Sequence, residues 1–174
     1  MNVTRLNHAV LFVRDADRSA EFYGDVMGFV KVMEMPGAVF LRAGGSTNDH
    51  DLGLFSIGDD AAASPAGAGT VGLYHLAWEV DTLAELERLQ ERLAQAGALV
   101  GASDHSSTKS LYAKDPDGIQ FEVCWVVPAA LLDDAVLAGK SSIRPLDLGK
   151  EIARYGADRL GGIGVSWGAA PASS

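Results

Sequence analysis

The feature that most constrains this chain is an internal repeat, in which one order of short runs occurs twice in tandem. Leu6 to Val13 (LNHAVLFV) reads as a strand. After Arg14-Asp15-Ala16-Asp17, an amphipathic helix runs through Phe22, Tyr23, Val26 and Met27 and is closed by Gly28. Leu73 to Val80 (LYHLAWEV) repeats the strand. Thr82-Leu83-Ala84-Glu85 then forms a capping box that opens a helix with a Leu86, Leu89 and Leu93 stripe, ended by Gly97. Three apolar runs separated by turn residues follow each helix: Phe29 to Met33, Ala38 to Arg42 and Asp51 to Ile57 in the first half, Ala98 to Val100, Ser110 to Lys114 and Ile119 to Val127 in the second. The last two are joined by the turn Asp115-Pro116-Asp117-Gly118. His8 and His75, Val13 and Val80, and Phe55 and Glu122 each lie 67 residues apart, so each half reads β-α-β-β-β.

The first module is expected at about residues 5–57 and the second at about 72–127, with a Gly-, Ala- and Asp-rich linker over 58–71. Together they make one domain over 1–127. Beyond Pro128 the pattern changes: Ala129 to Ala138 and Asp147 to Leu160 look helical, and Gly161 to Ser174 reads as a frayed tail, so 128–174 is expected to be a helical extension without chemistry of its own. With 14 Lys+Arg against 23 Asp+Glu the net charge is −9, and no basic cluster is available to displace phosphate counterions, which argues against nucleic acid as a partner. The longest apolar run, Val123 to Leu132, contains Pro128 and is too short to span a membrane. No basic stretch followed by an apolar one is visible at the start, and a cytoplasmic location is expected. The single cysteine, Cys124, can form no intrachain disulfide and reads as a small apolar filler.

All four histidines, His8, His50, His75 and His105, lie within the two modules. Side chains alternate along a strand, so His8 shares a face with Val10 and Phe12, His75 with Ala77, and Glu122 with Gln120 and Cys124. Two imidazoles and one carboxylate can thus converge inside a curved sheet, and a divalent cation would offset the cost of burying them. Two His and one carboxylate, leaving coordination positions open, form the facial triad of non-haem Fe(II) oxygenases. Singly, each residue is as readily a hydrogen-bonded core histidine or a solvated glutamate; their recurrence in a repeat favours the metal.

These modules, with a His near the start of each and Asp-Pro-Asp-Gly-Ile-Gln-Phe-Glu near the end of the second, resemble the vicinal oxygen chelate superfamily over about residues 5 to 127. The resemblance implies an α+β fold. Two tandem βαβββ modules would form a curved, partly closed mixed sheet around one metal site. Within that superfamily, glyoxalase-like and fosfomycin-type sites take a carboxylate from the last strand of the first module. The repeat puts Phe55, between Leu54 and Ser56, at that place. The stretch from His105 through Leu111-Tyr112 and Asp115-Pro-Asp-Gly118 to Glu122 is similar to the extradiol ring-cleavage signature, apart from Ser103 two residues before the histidine. Asn48-Asp49-His50-Asp51-Leu52 resembles a segment that supplies a further histidine in the same branch.

The resemblance to the extradiol, catechol 2,3-dioxygenase-like branch implies His8, His75 and Glu122 as ligands of Fe(II), with Mn(II) the other candidate, and His50, His105 and Tyr112 as surrounding catalytic groups. The implied substrates are a small aromatic diol and O2, ending in a ring-opened semialdehyde, and the protein is expected to act as an enzyme, possible as a homo-oligomer. Two other readings stay open: another divalent-metal enzyme of the superfamily, such as a glyoxalase-like isomerase or a thiol transferase, and a non-catalytic binding protein of the bleomycin-resistance kind.

Overall fold

The computed structural model describes residues 2–3, 5–67 and 69–162. The chain divides into two compact units, one made of Met1–Gly72 with Asp115–Ile119, the other of Leu73–Lys114 with Gln120–Ser174. Among the described residues no helix is long and apolar enough to cross a membrane.

In the first unit the elements are β1 (Ala9–Val13), α1 (Ala16–Met27), β2 (Val30–Met35), β3 (Ala38–Arg42) and β4 (Leu52–Ser56). They form a mixed sheet in the order β1-β4-β3-β2, with β1 parallel to β4 and the other neighbours antiparallel. Helix α1 starts where Asp15 accepts hydrogen bonds from the Asp17 and Arg18 amides, and stops at Gly28, whose φ of 75° suits a residue without Cβ. The buried stripe of α1 is Ala16, Ser19, Ala20 and Tyr23, so of the expected Phe22, Tyr23, Val26 and Met27 only Tyr23 is fully buried. Small residues on that face let the helix lie close to the sheet. Leu11, Val13, Val39, Leu41, Leu52 and Leu54 fill the core beneath it, whereas Val10 and Phe12, on the other face of β1, are exposed.

The second unit repeats this layout with β5 (Leu76–Glu79), α2 (Leu83–Gln95), β6 (Leu99–Asp104), β7 (Thr108–Lys114) and β8 (Gln120–Val126). Thr82 caps α2 by accepting from the Glu85 amide, and Leu83, Leu86, Leu89 and Leu93 are its buried stripe. Each such leucine contributes about 1.5–3 kcal/mol through the apolar surface it removes from water. The extension is less helical than its composition implies. Only α3 (Asp134–Ala138) and α4 (Leu148–Tyr155) are α-helical, and Arg144–Pro145 form β9, which pairs with β6 and lengthens the sheet to β5-β8-β7-β6-β9. Of the expected frayed tail, residues 163–174 lie outside the described residues.

The single partly closed sheet expected from the repeat is therefore two sheets, one per unit, and neither closes into a barrel. Strand ends also differ from expectation. β1 begins at Ala9 and β5 at Leu76, where their parallel ladders with β4 and β8 start, at Leu52 and Phe121. His8 and His75 thus sit immediately before their strands. The repeat extends to a shared irregularity, a register shift between Lys31 and Met33 in β2 and between Leu99 and Gly101 in β6. It fails at one point: Val10 pairs with Gly53 in the first sheet and the equivalent Ala77 pairs with Glu122 in the second, so the counterpart of Glu122 is Gly53 and not Phe55. Gly53 carries no carboxylate either, and its Cα faces Phe40 and Val10 closely enough that a Cβ would lie 3.4 Å from each.

Candidate functional site

Strand β8 lies between β5 and β7, which gives Glu122 neighbours on both sides: Ala77 on β5 and Tyr112 on β7. One carboxylate oxygen, Oε1, accepts a hydrogen bond from the Ser110 hydroxyl at 2.5 Å. The other, Oε2, lies 3.1 Å from Nε2 of His75, the residue just before β5. Ser110 stands two residues before Tyr112 on β7, opposite Cys124, so it meets Glu122 on the diagonal of the ladder. The Glu122 and His75 side chains retain 13% and 26% of their surface, leaving the pair half-open to a ligand.

Burial, and then the charge of Glu122, raise the Tyr112 phenol above its ordinary value, with the Ser110 hydroxyl acting the other way. Tyr112 therefore keeps its proton at neutral pH. Its hydroxyl lies 2.8 Å from Nε2 of His105, within hydrogen-bond reach. The His75 and Tyr112 rings are 6.0 Å apart, and Tyr74 lies 4.7 Å from His75 on another side. Glu122 and Tyr112 thus lie on neighbouring strands of the second unit, with His75 just before β5 and His105 in the β6–β7 turn beside them. Cys124 is buried on the same strand, and burial followed by the charges of Glu122 and Glu79 pushes its thiol up to about 12.

The first unit brings the remaining two candidates together. His8 is exposed, with Nδ1 2.8 Å from Asn7 Oδ1, and its ring lies 4.5 Å from that of His50. The His50 Nδ1 is 3.0 Å from Asp49 Oδ2, and Phe40 meets the ring edge-on at 5.2 Å. The residue that holds this loop in shape is Asp51, which is buried. It accepts from the Ala43 amide at 2.9 Å, the Ser46 hydroxyl at 2.9 Å and the Asn48 amide group at 2.7 Å. Its own backbone binds Leu41 and Ala9, tying the His50 loop to the start of β1.

The candidates are accordingly brought together in three pairs, His75 with Glu122, His105 with Tyr112, and His8 with His50. Among the described residues no group of three or more His, Cys, Asp or Glu side chains is gathered tightly enough to hold a cation as it stands. Ser110 and Asp51 carry no role in the repeat pattern. Ser110 could have been found from its place two residues from Tyr112 on the Glu122 face; the function of Asp51 depends on loop amides that no local pattern exposes.

The donors of the second unit fit a divalent ion. Two donors bound at right angles to one ion at about 2.1 Å lie about 3 Å apart, which matches the 3.1 Å between His75 Nε2 and Glu122 Oε2. The other ring nitrogen of His75, Nδ1, is buried without a hydrogen-bond partner among the described residues.

Comparison with known proteins agrees with this architecture. A family model described as the Glyoxalase/Bleomycin resistance protein/Dioxygenase superfamily matches residues 5–123. The chain is 32% identical over 120 residues to the catechol-2,3-dioxygenase of Bacillus subtilis (strain 168), a match covering 69% of this chain and 41% of that protein. It is 33% identical over 132 residues to biphenyl-2,3-diol 1,2-dioxygenase 3 of Rhodococcus globerulus, covering 71% and 64%. The chain thus spans less than two thirds of the length of either relative. The crystal structure of lactoylglutathione lyase from Agrobacterium tumefaciens superposes with a TM-score of 0.53 at 25% identity, over 71% of this chain and 95% of that one. A lyase and two dioxygenases share the matched scaffold, so the scaffold alone does not select a reaction. The doubled βαβββ layout and the match over residues 5–123 establish that the chain belongs to the Glyoxalase/Bleomycin resistance protein/Dioxygenase superfamily.

Proposed function

We propose that the chain is a non-haem Fe(II)-dependent extradiol dioxygenase that opens a catechol-type diol with O2, with Mn(II) as the alternative ion. The observation that carries this reading is the grouping of His75, Glu122, Tyr112 and His105 in the second unit, with a donor spacing suited to a cation. The dioxygenase relatives support it, and so does Gly53, which leaves the first module without a carboxylate at the position equivalent to Glu122.

In this reading His75 and Glu122 hold the ion in the second unit. A bound divalent ion would lower the pKa of a diol hydroxyl and neutralise the resulting charge. The remaining work falls to the chain. Ser110 orients the Glu122 carboxylate. Tyr112 keeps a donatable proton on its hydroxyl, and His105 takes or returns a proton at Nε2 through their 2.8 Å contact. His50, beside His8 and Asp49, serves as the proton donor of the first unit. The exposed Val10 and Phe12 lie on the His8 face of β1 and offer apolar surface to a ring.

The test is anaerobic loading with Fe(II), mixing with a panel of substituted catechols, and admission of O2. Oxygen uptake with a yellow ring-opened product is expected, none from metal-free protein, and loss of both metal and rate in His75→Ala. Iron-loaded protein that consumes no O2 with any catechol would overturn the proposal.

A further inference from the structure

The turn that carries His105 is held from outside the matched family span. Residues 104–109 connect β6 to β7, and Ser106 within them has a φ of 68°, a left-handed conformation that a residue with a Cβ keeps only where its surroundings over-determine it. Three contacts do so, all supplied by residues beyond 127. The Ser106 hydroxyl donates to the Val136 carbonyl at 2.8 Å. Gly139 packs so tightly on Ser106 that a Cβ there would lie 2.5 Å from the Ser106 hydroxyl. Strand β9 pairs with Ser103 and Asp104.

Behind the turn lies a buried charge cluster that the proposed reaction does not use. Lys109 has 1% of its side chain exposed, with Nζ 2.6 Å from Asp104 and 2.9 Å from Glu151 on α4. Arg144 of β9 reaches the other oxygen of Asp104 at 3.0 Å. Burial acts to raise the Asp104 carboxyl, but its bonds to Lys109 and the Ser106 amide hold it below the usual carboxylate range. Asp104 and Lys109 face each other across the hairpin, one on each side of the residue whose ring meets Tyr112. A buried ammonium is tolerable only while both carboxylates stay in place, so the cluster has one low-energy arrangement.

We infer that Lys109, pinned between Asp104 and Glu151 of the C-terminal extension, is a positioning residue that sets the 104–109 turn so that His105 meets Tyr112. The catalytic consequence rests on the dioxygenase reading; the geometric one does not. The extension is then a brace for the proton-handling pair. Displacement of a catalytic group by a fraction of an ångström lowers turnover while leaving substrate and metal binding in place.

The experiment uses the full chain, labelled with 13C-histidine and metal-free, with the His105 ring signals assigned by comparison with His105→Gln. Two variants attack the brace independently. Glu151→Gln removes one carboxylate, and Ser106→Gly keeps the left-handed backbone while releasing the bond to Val136. In both, the His105 ring signals should move while those of His75 stay, and exposed Lys150→Ala should change neither. After iron loading, kcat should fall about tenfold with KM and metal content unchanged. His105 signals that stay put in both braced-turn variants, whatever happens to thermal stability, would overturn the inference. Moved signals in a protein whose wild type cleaves no catechol would uphold the brace and remove the dioxygenase reading alone.

Discussion

Replacing Ser110 by alanine should weaken metal binding without disturbing the fold. The hydroxyl is fully buried and donates at 2.5 Å to Glu122 Oε1, and alanine fits the same space. A hydrogen bond to an ionised group contributes about 1.5–3 kcal/mol. Here it fixes the orientation in which Glu122 meets an ion, so its loss is felt when the ion binds. At about 1.4 kcal/mol per decade, the dissociation constant should rise roughly 10- to 100-fold, the range expected for a partner that orients a ligand. Anaerobic titration with Mn(II), followed by electron paramagnetic resonance, measures it directly, with Glu122→Gln as the reference for a lost ligand. A second readout is the Tyr112 phenol, whose ionisation should move to still higher pH, because Ser110 is the group offsetting burial and the Glu122 charge. Mn(II) affinity within twofold of the parent protein would refute the role of Ser110 and weaken the claim that Glu122 ligates.

Asp117 sets the acid limit of the first unit. Burial raises its carboxyl, but the Arg14 side chain and amide, with Arg18, more than offset this and hold it below the usual range. A carboxyl with a lower pKa folded than unfolded adds stability above the unfolded pKa and loses it as pH falls through the folded one. Asp117→Asn should therefore flatten the decline of the melting temperature below about pH 4 and leave the neutral range unchanged in slope; an unaltered acid limb would contradict this. The Cys124 thiol, pushed up to about 12 by burial, should resist iodoacetamide in the folded protein at mildly alkaline pH and react at once in urea. Rapid labelling of native protein would show the β8 face to be more open than the structure has it.

What could be read from the sequence divides along the range of the interactions involved. Helix α2 was legible because its signals are local: a threonine cap, a glutamate three residues on, leucines at helical spacing and a closing glycine. The alternation that buries Phe121, Val123 and Trp125 and leaves Glu122 on the other face was legible for the same reason. Strand ends were not, since β1 stops where β4 stops offering partners. The brace was hidden as well, because a buried Lys109 looks like any strand lysine until Glu151, far along the chain, is placed beside it. The clearest failure is also the most informative. A constant 67-residue spacing assumes equal segments, yet the β6–β7 hairpin is longer than the β2–β3 one, so that Tyr112 answers Phe40 at a spacing of 72, and the connection after it is shorter, 115–119 against 43–51, which brings Glu122 back to 69 from Gly53. That assumption aligned His8 with His75, which both precede their first strands, and then put Phe55 where the ladder has Gly53. The long connection is the one that carries His50 and is held by Asp51, and the short one leads straight into the strand bearing Glu122. The two halves keep one scaffold and part company where their side-chain donors differ.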